Sequence, residues 1–299
     1  MINASKYAFV FNPSANRQKA AVSLSWLEQQ INQYWPESDV MVSGSPADAI
    51  QIAKEAANEY DAIIACGGDG TVQIVASALK KQKTSLGIIP FGTGNDFIKS
   101  AGISPVTKTA LQQLSTAIVK PVDILEYNID GKTGVAINTI GIGFDAQINF
   151  QSKSFKRLQG KLVYPAAVAK SLSKIKTSDF LLDIDGEQID EKLIMLTLAN
   201  GTTEGGNFKI VPHADISDGE MDIASIKPMN IAGLLYRLGL LKLERHQGSD
   251  KIQFHKASKV NIQTSNPLFV HADGEHISSG ATNIQVHVLK HAIRLLVPG

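Results

Sequence analysis

The sequence predicts an α/β domain followed by a mainly antiparallel β domain. Three observations lead there. Up to about Val122, nearly all-apolar runs alternate with helical patterns, which indicates a parallel sheet covered on both faces. From Asp123 onward, short runs of alternating polarity dominate, with Asp-Gly pairs between them as hairpin turns. Three of the early apolar runs end in turns of small residues: FNPSAN, CGGDGT and PFGTGND. The division falls as residues 1–124 and 125–289, with residues 290–299 a candidate to return to the first domain.

Taken in order, Tyr7 to Asn12 (YAFVFN) reads as a strand, and Leu24, Leu27, Ile31 and Trp35 then recur at helical spacing. Asp39 to Gly44 is a second strand. Ser45 and Asp48 form a capping box for a helix reaching about Tyr60, with Pro46 suited to its first turn. Asp61 to Cys66 is a third strand, followed by GGDGT and a helix to about Lys81, and Ser85 to Pro90 is a fourth strand. In the second domain EYNIDGKTGVAINTI, DFLLDIDGEQID, KLIMLTLAN and KVNIQTS read as strands, turning at Asp130-Gly131 and Asp185-Gly186. One helical pattern interrupts them, from about Lys161 to Lys176. No internal repeat or low-complexity linker is visible.

Composition narrows the function. Of the 299 residues 43% are hydrophobic and 19% charged, an ordinary soluble composition, and the formal net charge of +1 gives no global field for nucleic acid. Cys66 is the only cysteine, so no intrachain disulfide forms and a reducing cytoplasm suits the chain. MINASKYAFVFNP lacks a basic region followed by a long apolar stretch, so no signal peptide is expected. The leucine-rich Gly233 to Leu243 is too short to span a membrane and carries Arg237 and Lys242.

In a doubly wound sheet the carboxyl ends of the strands open onto one crevice where ligands bind. Glycines there let backbone N–H groups approach an anion, and a helix N-terminus adds positive partial charge. One glycine-rich turn is more often a tight connection, but three after three strands suit a polyphosphate. No G-x-x-x-x-G-K-[ST] occurs, so this is not a P-loop. GIGFDA (Gly141 to Ala146) fits G-x-G-x-x-A, but it lies in the β-rich half with no fitting helix expected after it, so a Rossmann reading ranks low.

GGDGT followed by P-x-G-T-x-N-D, here PFGTGND, resembles the diacylglycerol kinase catalytic-domain family, which includes bacterial lipid kinases and sphingosine kinases. The likeness continues through IGIGFDA, NGTTEGGNFKIVPHADISDGEMD (Asn200 to Asp222) and HADGE (His271 to Glu275), nearly the whole chain in order. GGDGT alone is shared with NAD kinases and phosphofructokinases; PFGTGND and the late DGE separate the lipid kinases from these. The resemblance implies a NAD-kinase/phosphofructokinase-like first domain and a β-sandwich second domain, with the active-site cleft between them. It implies ATP contacts from Asn12, Pro13, Ser14, Ala15, Asn16, Ser43 (where relatives carry threonine), Gly67, Gly68, Asp69, Gly70, Thr71 and Thr93. Asp69 would work through water and Mg²⁺ near the phosphates. A second Mg²⁺ site would take the Asp218 carboxylate and the backbone carbonyls of Asp215 and Glu220. Asp273 would accept the proton of the lipid hydroxyl, with Asp69 competing for that role.

The expected activity is ATP-dependent phosphorylation of a lipid hydroxyl at the cytoplasmic face of the membrane. Diacylglycerol is the default acceptor, and phosphatidylglycerol or a sphingoid base would need the same machinery. The competing readings are a soluble-metabolite kinase of the NAD-kinase type and a nucleotide-binding module that transfers nothing. Partners would be the lipid and, peripherally, the membrane; nucleic acid is not expected, and a homodimer is an allowed assembly. A basic run (Lys153, Lys156, Arg157, Lys161, Lys170, Lys174, Lys176) without acidic residues between Asp145 and Asp179 suits an anionic surface, although most such runs are solvated faces.

All five Asp-Gly pairs (Asp69, Asp130, Asp185, Asp218, Asp273) have a plain turn as the bland reading. The resemblance selects three and leaves Asp130 and Asp185 as controls. His271, Asp273 and Glu275 would share one face of a continuous strand, with His276 beside them, which raises a zinc site. That set lacks the usual zinc triad and any cysteine, so zinc ranks below the family reading. Ala15 replaces a common glycine, GGN (Gly205 to Asn207) replaces three glycines, and Ile74 replaces a usual glutamate in the first turn after GGDGT. Ile74 weakens the expectation of full activity most.

Overall fold

The computed structural model describes residues 6–16, 23–154, 175–205, 208–242 and 250–299. The chain divides into two compact units: Met1–Ile124 with Ile216–Asp218 and Lys290–Gly299, and Leu125–Asp215 with Gly219–Leu289.

The first unit runs β1 (Tyr7–Phe11), α1 (Leu24–Tyr34), β2 (Asp39–Val42), α2 (Pro46–Ala56), β3 (Ala62–Gly67), α3 (Asp69–Leu79), β4 (Ser85–Pro90), α4 (Phe97–Ser100) and α5 (Thr107–Leu114). Its strands are parallel in the order β2-β1-β3-β4. Strands β1, β3 and β4 are buried at every position, as a parallel sheet covered on both faces requires. Phe9, Phe11, Ile63, Ile64 and Ile89 are fully buried there, each worth about 1.5–3 kcal/mol against exposure. Helix α1 turns Leu27 and Ile31 inward at helical spacing. Helix α2 starts at Pro46, its Ser45 hydroxyl accepting the Asp48 N–H at 3.1 Å, while Asp48 accepts the Gly44 N–H at 2.7 Å. From β1 the chain moves outward to β2, and from β3 it moves the other way to β4. The order therefore reverses between β1 and β3, and that is where a doubly wound sheet opens for a ligand.

The second unit begins at Leu125 within β5 (Ile118–Ile129) and continues through β6 (Lys132–Ala136), β7 (Thr139–Gly143), α6 (Phe144–Ser154), β8 (Ser178–Ile184), β9 (Glu187–Leu193), β10 (Met195–Ala199), β11 (Met221–Ile226), α7 (Ile231–Lys242), β12 (Ile252–Ala257), β13 (Lys259–Ala272) and the first part of β14 (Glu275–Val297). Its pairings are antiparallel, with β12-β11-β10-β7-β13-β14 in succession. Strand β13 pairs with β8 through Val260–Thr264 and with β7 through Val270–Ala272, changing partner across register shifts between Gln263 and His271. Such bulges bend a strand so that it serves two sheets. One core, including Phe180, Ile262 and Ile284, lies among these strands, and a second, including Phe144, Ile148 and Leu234, joins the sheet to α6 and α7. The far end of β14 lies in the first unit, where Leu295 pairs with Leu86 of β4 in parallel.

Two expectations change. A helix does follow GIGFDA, since α6 starts at Phe144, but β7 before it is antiparallel to both neighbours, so the motif opens no βαβ unit. His271 and Glu275 do not share a continuous strand: β13 ends at Ala272, and His271 pairs across the hairpin with His276. The helical pattern from Lys161 lies outside the described residues up to 174, as do most side chains of the basic run and Leu243. Among the described residues no helix is long and apolar enough to cross a membrane.

Candidate active site

Three hydrogen bonds tie the turns after β1, β3 and β4 together pairwise. Asn12 Nδ2 donates to Thr71 Oγ1 at 2.9 Å, Thr93 Oγ1 donates to Asn16 Oδ1 at 3.1 Å, and the Asp96 N–H donates to Asp69 Oδ1 at 2.7 Å. Asn12 Oδ1 also accepts the Ser14 N–H at 2.9 Å, which closes the first turn. The turn after β2 joins through Ser43, whose N–H and hydroxyl both donate to the Phe11 carbonyl.

The glycines allow this tying. A Cβ on Gly67 would stand 2.2 Å from Thr71 Oγ1, the atom that Asn12 holds. Gly68 and Gly92 back onto each other, and a Cβ on Gly92 would lie 2.5 Å from Gly68 Cα. At Gly68 and Gly92 the missing side chain serves packing of turn on turn, and at Gly67 it leaves room for Thr71 within one turn. Ala15 fits without strain because the left-handed residue of its turn is Asn16, at φ 49°.

Inside this arrangement lies a cavity of about 180 Å³ lined by Asn12, Ser14, Ser43, Gly44, Ser45, Pro46, Ala49, Thr71 and Ile74. Asn12, Ser14, Ser43 and Thr71, expected from four motif positions, thus share one space. Pro13, Ala15, Asn16, Gly67, Gly68, Asp69, Gly70 and Thr93 belong to the tied turns without lining it. Ile74 lines the cavity and is half-buried, so the departure from the family stands in the site itself. Burial pushes Asp69 above the usual carboxylate range and the Asp96 carboxylate adds to this, while the N–H groups of Asp96, Phe97 and Asn95 oppose it.

In the second unit Asp273 heads the β13–β14 hairpin at φ 50°, and its carboxylate accepts the N–H groups of Ile137, Asn138 and Thr139 at 2.8, 2.8 and 3.0 Å. Asp130 and Asp185 are built alike: φ 48° and 50°, a glycine next, and backbone N–H groups received from Thr282 and Asn283 or from Ser258 and Lys259. Turn geometry therefore does not single Asp273 out. Its setting does: buried Asn200 and Asn138 brace the 137–139 segment by donating to the Ile137 and Thr203 carbonyls, both at 2.8 Å.

Beside that hairpin, three motifs of the chain meet in one buried group. His271 Nε2 lies 3.0 Å from Asp145 Oδ2 and 2.6 Å from Glu204 Oε1. Gly141, opposite His271 in the β7–β13 ladder, makes the space: a Cβ there would stand 2.1 Å from Asp145 and 2.3 Å from His271. Burial and the Asp145 charge push Glu204 up to about 7. Burial alone would lower the pKa of His271, but the two carboxylates override it and hold it well above the usual value. These residues are the metal-competent cluster among the described side chains. A histidine bound to a metal through Nε2 carries its proton on Nδ1, yet the Gly274 N–H points at Nδ1 from 3.3 Å. The donor set thus suits a shared proton better than Mg²⁺. Sequence spacing gave no sign of this meeting; IGIGFDA, NGTTEGG and HADGE carried the residues separately. Asp215, Asp218 and Glu220 are exposed, and their oxygen donors are of the kind a hard cation takes.

A doubly wound unit with tied glycine-rich turns, joined in one chain to an antiparallel β unit, places the protein in a two-domain α/β-plus-β class. Residues 6–127 match the diacylglycerol kinase catalytic domain, and residues 138–297 match the YegS C-terminal NAD kinase beta sandwich-like domain. The chain belongs to the diacylglycerol kinase catalytic-domain family and is a kinase. It is 28% identical to a diacylglycerol kinase of Bacillus subtilis (strain 168) over 89% of this chain and 88% of that one. It is 26% identical to a diacylglycerol kinase of Staphylococcus aureus (strain MRSA252), covering 93% and 90%. A solved diacylglycerol kinase from Bacillus anthracis str. Sterne has the same fold, with TM-score 0.76 and 23% identity over 99% of this chain and 98% of that one.

Proposed function

We propose that this kinase transfers the γ-phosphate of ATP to a lipid hydroxyl at the cytoplasmic membrane face, with diacylglycerol as first acceptor. The observation that carries the reading is the cavity of about 180 Å³ at the β1/β3 reversal, where Asn12, Ser14, Ser43 and Thr71 present polar groups from three turns. It is smaller than the usual ligand pocket of roughly 300–1,000 Å³, so it receives one part of a nucleotide. In the second unit, a cavity of about 560 Å³ lined by Phe144, Leu268, Phe269 and Pro267, with Gln147, Gln151 and Lys176, supports an acceptor with an apolar body and a polar head.

Mg²⁺, when bound with ATP, spreads the charge of the transferring phosphoryl group. Asp215, Asp218 and Glu220 are the oxygen donors assigned to a further Mg²⁺. Asp273, fixed in one orientation by three N–H groups, receives the acceptor hydroxyl. Asp69, whose proton affinity burial raises, is the second candidate for the proton. Labelled ATP with mixed micelles of diacylglycerol, phosphatidylglycerol or sphingosine tests the reading, with detergent-free NAD as the contrast. Label in diacylglycerol supports it; label in NAD alone, or in no acceptor, overturns it.

A further inference from the structure

The buried group around His271 has no part in the transfer just described, yet it touches the turn that presents Asp273. His271 is fully buried, and its ring faces opposite demands on its two nitrogens. Nε2 meets the Asp145 and Glu204 carboxylates, while Nδ1 meets the Gly274 N–H at 3.3 Å. An imidazolium would set Nδ1–H against that N–H. The same total charge is reached with the imidazole neutral, its proton on Nε2, and the remaining proton on Glu204.

We infer that Asp145 and Glu204 hold His271 as the Nε2–H tautomer, so that its Nδ1 lone pair anchors the Gly274 N–H and sets the Asp273–Gly274 turn. The three are positioning residues for Asp273. The chemistry favours this over metal ligation, because the group supplies one donor hydrogen to two carboxylates on one side and one lone pair to an amide on the other. Gly141 leaves room for the pair and Asp273 is fixed from its other side by residues 137–139, so the turn is held from two directions. This inference rests on the reading that Asp273 acts on the acceptor hydroxyl.

Two substitutions separate the nitrogens by bond count. In His271→Asn the amide oxygen falls near the place of Nδ1 and can still accept the Gly274 N–H. In His271→Gln the amide nitrogen falls near the place of Nε2 and still reaches the carboxylates, but nothing stands at Nδ1. We expect His271→Asn to melt lower, because it leaves two buried carboxylates poorly served, yet to keep kcat within about threefold of the parent. His271→Gln should be the more stable variant and lose about tenfold or more in kcat, with the KM for ATP unchanged. Amide hydrogen exchange at Gly274 should stay slow in His271→Asn and become fast in His271→Gln, a readout that needs no activity. Nitrogen-15 spectra of the intact protein should show His271 neutral with the proton on Nε2. A proton on Nδ1, or equal Gly274 exchange in both variants, overturns the inference. If the tautomer and exchange results hold but Asp273→Asn keeps full turnover, the role of Asp273 fails and the anchoring stands.

Discussion

The carboxylate of Asp69 accepts the backbone N–H of Asp96 at 2.7 Å, so the first residue of α3 clamps the loop that leads into α4. Asp69→Asn keeps an oxygen for that bond and should cost no more than about 1 kcal/mol of stability. If Asp69 also acts on the phosphates or the proton, turnover falls about a hundredfold or more in the same variant. Denaturant unfolding alongside steady-state kinetics measures both. Unchanged turnover would leave Asp69 a clamp only.

Gly92→Ala places a methyl group 2.5 Å from the Gly68 Cα, where backbone faces backbone and no side chain can yield. It should destabilise the first unit by about 1–3 kcal/mol and weaken nucleotide binding with it. A melting temperature equal to the parent's would show that the two turns separate easily.

Ile74→Glu directs a carboxylate into the cavity of Asn12, Ser43 and Thr71 rather than into the core. The melting temperature should stay within about 2 °C and kcat should rise, with ATP affinity changed by only a small factor. Lower stability without a gain in rate would count against a catalytic use of that position.

Asp130→Asn, Asp185→Asn and Asp273→Asn alter three hairpins of one geometry. Each should lose about 1 kcal/mol of stability, but only Asp273→Asn should abolish lipid phosphorylation. Equal turnover in all three would reduce Asp273 to a turn residue.

Stability should fall as pH rises from about 4.5 to about 7, because folding raises Glu204 to about 7. The sign follows from the folded state holding the proton more tightly: the contribution is complete below the unfolded value and lost through the folded one. Asp145 and His271 face Glu204 from its buried surroundings, the first raising it further and the second opposing. The slope is at most about 1.4 kcal/mol per pH unit for each proton. Glu204→Gln should flatten it, as read from urea unfolding at several pH values.

Much of the first unit could be read from local pattern. Short apolar runs such as AIIAC, set between helical patterns, read as buried strands, and Ser45-Pro46 with Asp48 starts a helix through bonds within four residues. The hairpins at Asp130 and Asp185 were equally legible, since Asp-Gly meets the left-handed geometry of such turns without outside help. The helix after GIGFDA was missed because its apolar pattern is weak and its packing on β10 and β13 sustains it.

By itself, then, the sequence determined the four strands from β1 to β4, the three helices between them and the residue types at the three turns, because these depend on neighbours along the chain. Only the tertiary structure decided what the bare glycines face, since Gly68 and Gly92 meet across two strands. It also placed Ile74 in the cavity, a matter of how α3 is rotated against α2, β3 and β4 that periodicity leaves open. It brought Asp145, Glu204 and His271 together from positions 59 and 67 residues apart in turn. Contacts of that separation are set by strand pairing and burial, and no local spacing encodes them.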